Sequence, residues 1–143
     1  MPVVDFRDAG PPASLIDQAY ALVRTVWPGV ALADWRQYAG YHLDSHERGL
    51  LALVGADAYF SGLCGYERGL DLARGAVLRV PLFLVFDIMD GTRQTDTLLD
   101  TLQERRRQLA CGEVHIQLRS GQNALRRHLV SRGFLDHGTC FRC

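Results

Sequence analysis

Residues 89–99, "MDGTRQTDTLL", put Thr92, Arg93 and Thr95 between the apolar run "VPLFLVF" and an amphipathic helical pattern. Hydroxyls and a guanidinium beside a helix start, where backbone N–H groups point outward, are the chemistry of phosphate binding. The same residues also fit a plainer role, in which Thr92 or Thr95 caps the helix, Asp96 sits in its first turn and Arg93 is solvated. The spacing Cys140-x-x-Cys143 is the other candidate grouping. It falls in a predicted terminal strand, where positions i and i+3 face opposite ways, and no second pair follows at zinc spacing, so two ordinary thiols and no metal are expected. The "RRR" at 105–107 reads as a solvated helix end and not as a nucleic-acid contact.

The chain that carries these groups has 143 residues, enough for a single domain with its own core. Sixteen basic residues balance sixteen acidic ones, so no global field gathers nucleic acid or an anionic membrane, and any anion must be gripped locally. All sixteen basic residues are arginine, whose planar fork suits phosphate and carboxylate. The amino terminus lacks the basic start and apolar core of a secretory signal, and no apolar run reaches the roughly eighteen residues of a spanning helix. A cytoplasmic protein with reduced cysteines and no membrane partner is the expectation.

Hydropathy then sets the elements. "VVDFR" is a short strand; a helix follows with Leu15, Ile16, Ala19, Leu22, Val23 and Val26 on one face; "WPGV" ends it. A second helix spans about residues 32–42 with Leu32, Trp35, Tyr38, Ala39 and His42 at helical spacing. "LLALVGA", "AYFSGLCGYE" and "AVLRVPLFLVFDI" predict an antiparallel meander, the last two joined by the loop "RGLDLARG", with a bulge or an edge at Pro81 because proline has no N–H to donate. A helix over 95–110, the strand "EVHIQL", a helix from near Ser120 to Gly133 and a closing strand "FLDHGTCFRC" complete the order β α α β β β α β α β. The strand–helix–strand segment 82–118 should be a parallel, right-handed crossover. An edge left free by the closing strand would be covered by a second copy, giving a homodimer.

This order, an α/β mixed sheet with a bulged fourth strand feeding the third helix, resembles the GCN5-related N-acetyltransferase family over nearly the whole chain. In the family the fourth strand ends in V-x-P-x-x-R-G-x-G-x-G/A, whose backbone amides cradle the pyrophosphate of coenzyme A. Val85 matches the valine, Asp87 the proline place, Asp90 the arginine place and Gly91 the first glycine, while Arg93 and Thr95 stand at the other two glycines. "GQNALRRHLVSRGF" is similar to the family's N-x-x-A-x-x-x-Y-x-x-x-G-F helix, with Gln122 in the Asn place, Leu125 in the Ala place and Leu129 in the Tyr place. "YFSGLCGYE" resembles the third strand, which usually has a central glycine.

The resemblance implies an acyl-CoA-dependent N-acyltransferase that moves an acetyl group from acetyl-CoA to an amine of a small molecule or peptide. It implies Val85, Phe86 and Asp87 along the pantetheine arm, Asp90, Gly91, Thr92, Arg93, Gln94 and Thr95 around the pyrophosphate, and Gln122 beside them. Such a reaction needs a base near the acyl carbon, for which Glu67, Asp87 and His115 are the candidates. Trp35, Tyr38 and Tyr41 lie in the region that shapes the acceptor pocket in the family, and they fit a place in the core equally well. Leu129 cannot donate a proton as the family's tyrosine does, and one residue along the helix turns His128 about 100° away from that place. The alternative is a protein of this fold that has lost turnover and serves as a binding or interaction module.

Overall fold

The computed structural model describes residues 3–8, 12–55, 59–86 and 91–138. Its elements are β1 (Val3–Asp5), α1 (Pro12–Val26), α2 (Leu32–Leu43), β2 (Arg48–Val54), β3 (Phe60–Asp71), β4 (Gly75–Val85), α3 (Gly91–Gln108), β5 (Glu113–Ile116) and α4 (Asn123–Ser131). The five strands form one sheet in the order β1-β2-β3-β4-β5. The first three pairings are antiparallel and β4–β5 is parallel, so both the meander and the crossover expected from the sequence are present.

Two apolar layers clamp the sheet. On one face Ile16, Ala19 and Val23 of α1 and Trp35 and Ala39 of α2 pack on Leu50, Ala52, Leu63, Leu82 and Leu84. On the other, Leu98, Leu99 and Leu102 of α3 and Leu129 of α4 pack on Leu51, Leu53, Cys64, Tyr66, Leu78, Val80 and Phe83. Alternation along each strand, with period two, is what sends neighbouring residues to opposite layers. Each fully buried leucine contributes about 1.5–3 kcal/mol of transfer free energy.

The sequence placed several boundaries differently. "RGLDLARG" is mostly strand: β3 runs to Asp71 and β4 restarts at Gly75, whose φ of 78° supplies the left-handed turn residue. Gly69 is a strand residue here, packed beneath the Arg79 guanidinium, and not a breaker. The third helix opens at Gly91, not near residue 95, because nothing between Thr92 and Thr95 opposes helical backbone. Residues 134–138 are not a strand: Gly133, at φ 93°, closes α4, with Phe134 N donating to Leu129 O at 3.0 Å and Phe134 packed on the core, and the chain continues without ladder partners to residue 138. Cys140 and Cys143 lie outside the described residues; among those described, Cys64 and Cys111 are buried free thiols and no cluster of metal ligands occurs.

Candidate functional site

The site is built where the sheet fails to continue. Below Pro81, β4 is bonded on both edges, to β3 and to β5. Gly65 then pairs Leu82 while Glu67 pairs Arg79, so Val80 and Pro81 together oppose Tyr66 in a bulge. The bulge reverses the side-chain alternation: Leu78 and Val80 face α3 below it, and Phe83 and Val85 do so above it. It also ends the parallel ladder, whose last contacts are the Val80–Ile116 pair and Gln117 N to Val80 O at 3.0 Å. Proline offers no donor with which to extend it.

Above the bulge, among the described residues, β4 pairs with a strand on one edge only. Phe86 N donates to Ser61 O at 2.6 Å, which by antiparallel alternation turns the peptide groups of Leu84 and Leu82 toward β3 and those of Phe83 and Val85 away from it. Those outward groups face the gap that β5 has left. The connection from β5 to α4 crosses that gap at two places. Gln122 Nε2 donates to Phe83 O at 3.3 Å, its Oε1 being held by Arg119 N at 2.7 Å. The Arg119 guanidinium lies 5.5 Å from the centre of the Trp27 ring.

At the foot of the gap the registers align four side chains in one row, Arg48 of β2, Glu67 of β3, Arg79 of β4 and His115 of β5, all on the α1/α2 face. Strand spacing puts Glu67 and His115 about 10 Å apart across β4. His115 Nε2 is 2.8 Å from Glu113 Oε2, and this hydrogen bond is the main reason that the Glu113 carboxyl titrates below the ordinary range. With Nε2 donating to Glu113, the lone pair of Nδ1 is available to a proton. Glu67 accepts from Tyr41 Oη at 3.4 Å.

The aromatic residues of α2 divide. Trp35 is 3% exposed and its Nε1 donates to Ile16 O at 2.7 Å, which makes it core and gives a ligand no surface to touch. Tyr38 is half-buried and stacks on Trp35; burial pushes its hydroxyl up to about 12, so it stays neutral. Tyr41 is exposed, with Arg48 4.0 Å above its ring. His42 is buried beside Tyr38, Nδ1 3.3 Å from Tyr66 O, and burial lowers its pKa.

At the other end of the gap, Gly91, Thr92, Arg93, Gln94 and Thr95 form the first turn of α3, the positive end of its dipole. Thr92 and Arg93 are exposed; Gln94 and Thr95 are buried. Asp87 and Asp90 lie outside the described residues. His128 is turned toward α3: its Nε2 is 2.7 Å from Asp96 Oδ1, which Arg132 Nη1 also reaches at 2.7 Å. Leu129 is buried among apolar side chains, so the tyrosine place holds no proton donor. A recess of about 260 Å³ at the far end of α3 is lined by Arg105, which meets Asp5 at 3.1 Å, and by Arg7, which the carbonyls of Ser45 and Arg48 hold.

Sequence reasoning missed Glu113 and Arg119. Glu113 had a signal, since it stands two residues before His115 on a strand and shares its face. Arg119 had none, because its contact with Trp27 depends on the fold.

No protein-family profile and no curated protein matches the sequence. Solved structures do match the fold. The aminoglycoside N-acetyltransferase AAC(6')-Iy, in complex with the bisubstrate analogue CoA-S-monomethyl-acetylneamine, has a TM-score of 0.78 at 13% identity over 99% of this chain and 98% of its own. A Trypanosoma brucei acetyltransferase has 0.69 at 16% over 99% and 96%, and the glucosamine-6-phosphate N-acetyltransferase of Arabidopsis thaliana has 0.61 at 8% over 80% and 79%. The fold is therefore that of the GCN5-related N-acetyltransferases.

Proposed function

We propose that this chain is an acetyl-CoA-dependent N-acetyltransferase acting on an amine of a small molecule or peptide. One observation carries the reading: the edge of β4 above Pro81 is unpaired by β5, with the outward peptide groups of Phe83 and Val85 leading from the turn at α3 to the side chain of His115. An extended amide-bearing arm such as pantetheine can add to that edge as a strand would. Val85 and Phe86 then flank the arm, and the first turn of α3, Gly91, Thr92, Arg93, Gln94 and Thr95, meets the pyrophosphate, with Thr92 hydroxyl and Arg93 guanidinium supplying donors where the family uses glycine N–H groups.

The donor supplies a thioester carbonyl. His115, oriented by Glu113, takes the proton of the attacking amine; Glu67 is the second candidate base, across β4. The leaving thiol has an intrinsic pKa of about 8.5, so its anion departs near neutral pH without the acid that Leu129 cannot provide. The same substitution, together with Arg93 and Thr95 at glycine places, favours the second reading, a protein of this fold that binds without turnover.

Thermal shift with acetyl-CoA, followed by a thiol-release assay with mixed amines, tests both. Ligand at a hundred times its Kd adds about 2.7 kcal/mol, which shifts a domain of this size by several degrees. A shift with thiol release supports transfer; a shift without release for any amine supports the binding module; no shift at millimolar acetyl-CoA overturns both as acyl-CoA proteins. Arg93→Ala should abolish the shift.

A further inference from the structure

The row at the foot of the gap carries a charge pattern that proton transfer does not use. Among the described residues, Arg48, Arg79 and Arg119 form no salt bridge, and each is nevertheless fixed in place. Arg48 Nε donates to Tyr41 O at 2.9 Å while its guanidinium stacks on the Tyr41 ring. Arg79 Nη2 donates to Leu70 O at 2.9 Å, and its guanidinium lies where a Cβ on Gly69 would come within 2.5 Å of Nη1. Arg119 rests on Trp27. All three are held by neutral groups, so their positions are fixed, and among the described residues none of them closes an ion pair.

Other arginines meet carboxylates, Arg36 with Asp17, Arg74 with Glu113, Arg126 with Asp136 and Arg132 with Asp96, while Arg7, Arg68 and Arg106 are also bonded to neutral groups. Two of the acids near the row are engaged by other partners. Glu113 is taken by Arg74 and His115, and Asp71 is turned onto the backbone N–H groups of Ala73 and Arg74. Glu67 alone stands between Arg48 and Arg79 in the ladder.

We propose that the acceptor is an anionic amine, one that carries a carboxylate or a phosphate, with the oxyanion on Arg79 and the amine between Glu67 and His115. A guanidinium forms paired, charge-assisted hydrogen bonds to either oxyanion, and one already immobilised loses little freedom in doing so. A multiply cationic acceptor such as an aminoglycoside meets like charge on this face. This inference rests on the transferase reading for the identity of the site, and names the substrate class.

Two matched pairs test it: L-ornithine against putrescine for the carboxylate, and glucosamine 6-phosphate against glucosamine for the phosphate. The anionic member of at least one pair should have a KM lower by about tenfold or more, the worth of one charge-assisted hydrogen bond. Arg79→Gln should erase that difference by raising the KM of the anionic member, with the KM for acetyl-CoA unchanged. Equal kcat/KM within both pairs, or discrimination that survives Arg79→Gln, overturns the proposal. Amide NMR without acetyl-CoA separates the two levels of inference. Shifts at Arg48, Arg79 and His115 on adding an anionic amine, lost in Arg79→Gln, support the anion site even where no transfer occurs, in which case the transferase reading is what fails. No shift at millimolar anionic amine overturns the anion site.

Discussion

The two halves of β4 are built from the same kind of sequence and end in different structures. From Ala76 to Val80 the strand is bonded on both sides and buried on the α3 face by Leu78 and Val80. From Leu82 to Phe86 it is as apolar and nearly as buried, with Leu82, Phe83 and Leu84 all inside, yet among the described residues no strand pairs with its second edge. Packing and backbone pairing are therefore independent properties here. The side chains of the upper half anchor it, and its outward peptide groups, apart from the Phe83 carbonyl that Gln122 bonds, face the gap.

The comparison can be broken most severely through packing. Phe83→Ala should cost about 3–5 kcal/mol, as much as a large-to-small change at the doubly paired Leu78, when measured by urea unfolding. A much smaller cost at Phe83 would mean that the open half is loosely held. Next in size is catalysis. His115→Asn should lower the rate of acetyl transfer by about a hundredfold or more, the usual worth of a positioned base, with Tm little changed because the side chain is partly exposed. If Glu67→Gln has that effect and His115→Asn does not, the base stands on the β3 side of β4.

Acid should act more gently, on the layer beneath. Burial depresses the His42 pKa, so the folded protein disfavours the proton that the unfolded chain accepts near pH 6.5. Its contribution to stability is full above that pH and declines as pH falls toward the lower folded value. Urea midpoints between pH 7.5 and about 5 should fall, and the His42→Asn protein should show a flatter profile. The smallest effect belongs to the contact that spans the gap. Gln122→Ala should cost no more than about 1 kcal/mol, because the Phe83 carbonyl it releases can turn to water or to a ligand.

How much of this was legible in the sequence follows the range of the interactions. Pro81 announced its bulge because the missing N–H is a local fact, and the periods of the meander and of α1 announced the two layers. Gly69 and the start of α3 were misplaced because a glycine or a threonine permits several backbones and tertiary packing chooses among them. The row from Arg48 to His115 was not legible at all, since a register joins residues far apart in sequence and any slip of one would send them to the other face. Gln122 was singled out only by its resemblance to a family position, and its bond to Phe83, 39 residues away, needed the fold.

The central claim, that the free edge of β4 above Pro81 receives the acyl donor, is tested most directly by amide hydrogen exchange with and without saturating acetyl-CoA. The account predicts new protection at the N–H groups of Phe83 and Val85 and none at Leu78 and Val80, which already bond to β5. Binding of acetyl-CoA that leaves Phe83 and Val85 unprotected would contradict it.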